Sequence, residues 1–128
     1  MTSVGVTKPG EKPVIYTDRN IFNMPVLIDT GSTLSYFRED LVAQIGQVFG
    51  AVIDAGNNYV VDCRYRQLKG SVDFGFNRGG MIISVSYKDF IYEQYSGHCM
   101  LGAQPADVGS TNYVLGDTFI RGAYRKSG

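Results

Sequence analysis

Residues 25–37 read Pro25-Val26-Leu27-Ile28-Asp29-Thr30-Gly31-Ser32-Thr33-Leu34-Ser35-Tyr36-Phe37. The continuous apolar run Pro25–Ile28 predicts a strand buried on both faces. It ends in Asp-Thr-Gly, where an ionised carboxylate is costly unless hydrogen bonds and a partner hold it. Donors follow at once. Thr30, Ser32 and Thr33 each carry a hydroxyl, and Gly31 lets the backbone approach closely and adopt angles that other residues avoid. Two readings stand at this point: a catalytic carboxylate held by its own loop, or a turn between strands with an aspartate in its ordinary turn role.

Outward from this stretch the chain is mainly β. Between Arg38 and Phe49, Leu41, Val42, Ile45, Val48 and Phe49 fall on one helical face, and Gly50 ends that helix. Short apolar runs between turn signals predict strands at Val4–Thr7, Val14–Thr17, Tyr59–Cys63, Ser71–Phe76, Met81–Ser86, Cys99–Leu101 and Tyr113–Leu115. The turns fall at Lys8–Pro13, Asn57-Asn58, Asn77–Gly80 and Gly109-Ser110. Asp117–Gly122 reads as one short helix turn with Asp117 as its N-cap, and Arg38, Glu39 and Asp40 begin the longer helix.

The 128 residues are 44% apolar and 19% charged, the composition of a single globular domain over 1–128. A chain of this size buries about two-thirds of its unfolded surface, enough for one core. Lys plus Arg and Asp plus Glu both total 12, so there is no basic footprint for nucleic acid or an anionic membrane surface. Cys63 and Cys99, with the single histidine His98, are too few for an ordinary four-ligand zinc site. They are one pair or two free thiols. No metal and no cofactor are expected. No apolar run is long enough to span a membrane, and Met1-Thr2-Ser3-Val4-Gly5 has no signal-peptide core.

Val26 to Phe37 resembles the second active-site loop of pepsin-like aspartic endopeptidases, the loop of the C-terminal lobe. Tyr113-Val114-Leu115-Gly116-Asp117-Thr118-Phe119-Ile120-Arg121-Gly122-Ala123-Tyr124 is similar to that lobe's hydrophobic-hydrophobic-Gly segment and the short helix after it. Cys63 and Cys99 sit where the lobe carries its disulfide. Val72–Phe76 followed by Met81–Val85 is similar to its central hairpin, in the manner of fungal secreted or cell-surface members. The resemblance covers Pro25 to Tyr124 and implies one lobe of the pepsin-like β-barrel fold. It also implies a Cys63–Cys99 disulfide, and closing that loop contributes roughly 3 to 4 kcal/mol in the chain-entropy model.

The same resemblance implies roles residue by residue. Asp29 matches the catalytic aspartate, and Thr30 the threonine that clasps the opposite lobe's loop. Ser32 matches the residue that bonds the carboxylate, while Gly31 and Thr33 match positions that bind the substrate backbone. Gly116 matches the glycine beneath the loop. In that family two aspartates about 3 Å apart share one proton. This chain offers one such loop. Val52-Ile53-Asp54-Ala55-Gly56 lacks the clasping hydroxyl and reads as a turn between strands, and Asp117 reads as a cap. His98 and Cys99, adjacent in a strand, point to opposite faces and form no thiol–imidazole pair.

The expectation is therefore an aspartic endopeptidase lobe that supplies Asp29, acts on peptide or protein substrates, and is inactive without an N-terminal lobe. Arg125-Lys126-Ser127-Gly128 does not match the family's closing apolar strands, so the lobe reads as cut short at its end. One alternative is a homodimer of the retroviral-protease kind, each copy giving Asp29. Another is a non-catalytic β domain that binds a peptide or a partner lobe. By resemblance the location is extracellular, cell-surface or vacuolar, with no signal peptide in this chain.

Overall fold

The computed structural model of the chain describes residues 1–16, 25–76, 80–107 and 113–127. In order, the elements are β1 (Ser3–Thr7), β2 (Val14–Ile15), β3 (Val26–Ile28), β4 (Ser35–Phe37), α1 (Glu39–Val48), β5 (Val52–Ile53), β6 (Tyr59–Val61), a 3-10 turn (Cys63–Gln67), β7 (Ser71–Phe76), β8 (Met81–Ser86), α2 (Tyr87–Phe90), β9 (Tyr92–Tyr95), β10 (His98–Met100), β11 (Ala103–Pro105), β12 (Tyr113–Leu115) and α3 (Asp117–Ser127). The described strands form three four-stranded sheets, ordered β2-β1-β7-β8, β5-β6-β10-β9 and β11-β4-β12-β3. They are open sheets and do not close into the barrel that the resemblance implies.

The first sheet is antiparallel and follows the two-residue side-chain period. Val4 pairs with Phe74 and Val6 with Val72, and Val72 pairs with Val85, so these fully buried side chains share one face. On the opposite face the Asp73 carboxylate accepts from the hydroxyls of Thr7 (2.6 Å) and Ser71 (2.8 Å). Those two bonds offset its partial loss of water. Helix α3 packs on β8. That contact requires Gly122, because a Cβ there would lie 2.6 Å from Cγ1 of the buried Val85.

An aromatic cluster joins the sheets. Phe37 of β4 lies 6.0 Å from Phe74 of β7, and Phe74 meets Phe119 of α3 edge-on at 5.1 Å. Phe49, at the end of α1, meets Tyr87 of α2 edge-on at 4.7 Å. The Tyr87 hydroxyl donates to Thr7 O, and burial pushes its pKa up to about 12. Cys63 and Cys99 form a disulfide that ties the 3-10 turn to β10. Asp62 caps that turn through the Arg64 N–H.

Three sequence expectations change. The Pro25–Ile28 run is not buried on both faces: β3 covers Val26–Ile28, pairs among the described strands with β12 alone at the sheet edge, and leaves Leu27 54% and Ile28 59% exposed. The short turn at Asp117–Gly122 is the start of an 11-residue helix. The Tyr59–Cys63 strand ends at Val61, because Asp62 turns the chain at Cys63. Helix α1 and the β7–β8 pair fall where the pattern puts them, and Gly50 ends α1 with φ +61°. Thr17, Asn77-Arg78-Gly79 and Gly109-Ser110 lie outside the described residues.

Reducing the Cys63–Cys99 bridge, which spans 36 positions, lowers stability by about 3 to 4 kcal/mol in the loop-entropy model, read as a lower urea midpoint with dithiothreitol than without. Gly122→Ala gains about 1 kcal/mol of helix propensity but forces a methyl onto Val85 at a cost of about 1 to 3 kcal/mol. Net destabilisation is expected by thermal unfolding, and a raised Tm would contradict the packing argument.

Candidate active site

The Asp29 loop is built by the third sheet. Strands β3 and β12 are parallel, with Val26 opposite Tyr113 and Ile28 opposite Leu115, while β4 lies antiparallel on the other side of β12. Residues 29–34 therefore cross over the end of β12 to connect the strands on either side of it. The crossing starts with the Asp29 N–H donating to Leu115 O (3.0 Å). The Gly31 N–H donates to Asp29 Oδ1 (2.9 Å), and the Ser32 N–H to Asp29 O (3.1 Å). The loop thus folds back on its own aspartate. The Ser32 hydroxyl donates to Leu34 O (2.7 Å), supporting the loop through its backbone rather than through the carboxylate. Asp29, Thr30, Gly31 and Thr33 are all exposed to solvent.

Beneath the loop lies the exit of β12. A Cβ at Gly116 would stand 2.6 Å from Ser32 O and closer still to Leu34 O, so only glycine fits there. The Asp117 N–H donates to Ser32 O (2.8 Å) and the Thr118 N–H to Thr33 O (3.3 Å). The first N–H groups of a helix lack intrahelical acceptors. Here the loop's carbonyls supply them. Asp117 is accordingly the first helical residue, and backbone carbonyls perform the capping expected of its side chain.

Two residues under this joint were not singled out from the sequence. Ser35 and Thr118 are both fully buried, with hydroxyl oxygens 3.1 Å apart. Ser35 Oγ accepts from the Gly116 N–H (3.1 Å), and Thr118 Oγ1 donates to Gly102 O (2.8 Å). The available signal was a serine at an inward position of an otherwise apolar strand, which needs a polar partner.

The other candidates are used elsewhere. Asp54 Oδ1 accepts from the N–H groups of Gly56 (2.8 Å) and Asn58 (3.0 Å), the turn between β5 and β6 that the sequence suggests. His98 stacks on Tyr95 with ring centres 4.6 Å apart, while Cys99 is buried in the disulfide. Ligand atoms of Cys63, Cys99 and Glu93 lie within 4.8 Å of one another, but the two sulfurs are bonded to each other, leaving only a carboxylate for a metal. A cavity of about 360 Å³ opens between the paired strands β4 and β11 and the β5–β6 turn, lined in part by Tyr36, Glu39, Asn58 and Gln104. The Gln104 amide is fully engaged, with Oε1 accepting from Tyr59 N–H and Nε2 donating to Tyr59 O and Leu101 O. No helix among the described residues is long and apolar enough to cross a membrane.

Residues 11–126 match the model of the eukaryotic aspartyl protease family. Secreted aspartic protease 5 of Candida albicans is 35% identical over 122 residues, covering 90% of this chain and 28% of that protein. Candidapepsin-2 of Candida parapsilosis is 32% identical over 103 residues, covering 77% and 24%. Among solved structures, the aspartic proteinase from Irpex lacteus aligns with TM-score 0.59 at 18% identity, over 93% of this chain and 36% of that one. Conglutin gamma, a basic 7S globulin of lupine seeds, aligns with TM-score 0.66 at 19% identity, over 93% and 32%. The chain spans between 24% and 28% of the length of the two Candida relatives. With the Asp-Thr-Gly loop seated over Gly116 and the family match running over nearly its whole length, this chain belongs to the eukaryotic aspartyl protease family.

Proposed function

We propose that this chain is the C-terminal lobe of an aspartic endopeptidase and supplies Asp29 as one of two carboxylates that hydrolyse a peptide bond. The observation that carries this reading is the placement of Asp29: its loop is braced from below by α3 and from within by Gly31, yet the carboxylate faces solvent. The turn aspartate Asp54 shares the bond from a glycine N–H two residues on, so the distinguishing feature at Asp29 is the floor that the first N–H groups of α3 give its loop. The fold alone does not carry the activity, since a seed globulin shares it.

The chemistry requires a second carboxylate. A single carboxylate cannot at the same moment accept a proton from the attacking water and donate one to the scissile carbonyl. With a partner about 3 Å away, the pair holds one proton between two oxygens that cannot both ionise. The ionised member takes a proton from a water whose oxygen attacks the scissile carbonyl carbon. The protonated member donates to the carbonyl oxygen. The tetrahedral intermediate then collapses, its C–N bond breaking as the leaving nitrogen takes a proton. Thr30, exposed beside Asp29, would clasp the partner's loop, and the exposed Gly31 and Thr33 would offer backbone and hydroxyl groups to a bound peptide.

The partner is an N-terminal lobe from the three-quarters of the relatives' length that this chain does not match. The exposed Leu27 and Ile28 on edge strand β3, leading directly into Asp29, form the face it would cover. The Cys63–Cys99 disulfide and relatives named as secreted proteases support an extracellular location.

The test is reconstitution. The chain alone should show background peptide hydrolysis, and the chain combined with an N-terminal lobe should cleave peptides at acidic pH. Asp29→Asn should lower that rate by at least about 100-fold, in line with loss of an acid–base group. Cleavage by the chain alone when sedimentation shows a monomer would overturn the reading. Activity confined to a dimer of this chain would move the second carboxylate to another copy. Peptide binding that survives Asp29→Ala, with no cleavage in any pairing, would make the chain a binding domain.

A further inference from the structure

We propose that Ser35 and Thr118 are positioning residues for the Asp29 loop, acting through a directed chain of buried hydroxyl groups that locks the loop to the start of α3. The catalytic half of this inference rests on the reading of Asp29 given above. The structural half stands without it.

Each hydroxyl carries one proton and can accept on its oxygen. Thr118 Oγ1 lies 2.8 Å from Gly102 O, a carbonyl that can only accept, so that bond uses the threonine's proton. The 3.1 Å contact between Thr118 Oγ1 and Ser35 Oγ must then be donated by Ser35. With its proton engaged, Ser35 Oγ is left as an acceptor, and the Gly116 N–H donates to it (3.1 Å). The order is thereby fixed: Gly116 N–H to Ser35, Ser35 to Thr118, Thr118 to Gly102 O. Gly102 O also accepts the Ser35 N–H (2.9 Å), which closes the circuit. A Cβ at Gly102 would run into Phe90 O, so this acceptor, like the donor at Gly116, lies where a side chain cannot.

The chain gathers four segments that are distant in sequence: β4, the exit of β12, the first turn of α3 and the link between β10 and β11. Its donor end is the peptide beneath the loop. That peptide sets the direction in which the following Asp117 and Thr118 N–H groups point, and those two groups hold Ser32 O and Thr33 O. Apolar residues could fill the volume of Ser35 and Thr118, but Gly116 N–H would then be buried without a partner. The hydroxyls therefore orient the platform on which Asp29 rests. Their hydroxyls bond each other, the Gly116 N–H and Gly102 O rather than the carboxylate, so their role is exerted through the loop's backbone.

The test uses amide hydrogen exchange of the full chain by NMR, with Ser35→Ala, Thr118→Val and Thr118→Ser. Valine keeps the shape of threonine and loses the hydroxyl, whereas serine keeps the hydroxyl and loses a methyl. Ser35→Ala and Thr118→Val should speed exchange at Gly116, Asp117 and Thr118 or its replacement by at least about tenfold relative to Val72 and Phe74 in the same sample, and should shift the Gly31 amide resonance. Thr118→Ser should remain within about threefold of wild type at those positions. A serine variant as perturbed as the valine one would overturn the proposal in favour of simple packing, as would uniform acceleration across all amides. In the two-lobe enzyme, the two hydroxyl deletions should lower kcat by about tenfold with KM unchanged, and Thr118→Ser should retain the rate. If the wild-type pair shows no cleavage, the catalytic reading of Asp29 fails, and the exchange data still decide whether the hydroxyls position the loop.

Discussion

The backbone carbonyls of Ser32 and Thr33 and the N–H groups of Asp117 and Thr118 satisfy one another, and the third sheet is arranged around that exchange. A loop crossing the end of a strand exposes carbonyls with no ladder to join. A helix that starts there exposes N–H groups with no turn before it. Stacking the one on the other removes both deficits, provided nothing intervenes. Gly116 meets that condition by having no side chain. The geometry of Asp29 follows, because its own N–H is held by Leu115 O at the last pair of β12 and its carboxylate by the Gly31 N–H within the braced loop.

The rest of the fold supports this joint from outside. Phe119, in the first turn of α3, packs edge-on against Phe74 of the first sheet, and Gly122 brings the same helix into contact with Val85. Helix α3 is thus pinned at its start by the loop and along its length by the β7–β8 pair. The second sheet, tied to the 3-10 turn by Cys63–Cys99, meets the joint through Gly102, just beyond β10. Burial is dense on the inner faces and thin at the sheet edges, where Val14, Ile15, Leu27, Ile28, Val52, Ile53, Met81 and Ile82 remain exposed. The edge that leads into Asp29 is where the proposed partner lobe would sit.

Features that depend on local pattern were legible in the sequence. The spacing of Leu41, Val42 and Ile45 gives α1, alternation gives β7 and β8, and an apolar run into Asp-Thr-Gly with a distant apolar-Gly segment gives the loop and its floor. What was not legible depends on tertiary partners. Apolarity in Val26-Leu27-Ile28 reads as burial, but among the described strands β3 lies at a sheet edge with Leu27 and Ile28 exposed. Tyr92-Glu93-Gln94-Tyr95 is a strand by pairing with β10 rather than by its own pattern. Helix α3 starts on the loop's carbonyls, which take the place that the sequence assigned to the Asp117 side chain. The roles of Ser35 and Thr118 emerge only when residues 83 positions apart are brought together.

The most direct test of the loop–helix joint is Gly116→Ala, followed by equilibrium urea unfolding and by mapping amide chemical shifts. The expected result is a loss of at least about 2 kcal/mol, since the added methyl meets backbone oxygens that cannot rotate away, with shift changes concentrated at residues 31–35 and 117–120. An alanine variant with wild-type stability and undisturbed shifts in both segments would contradict the account.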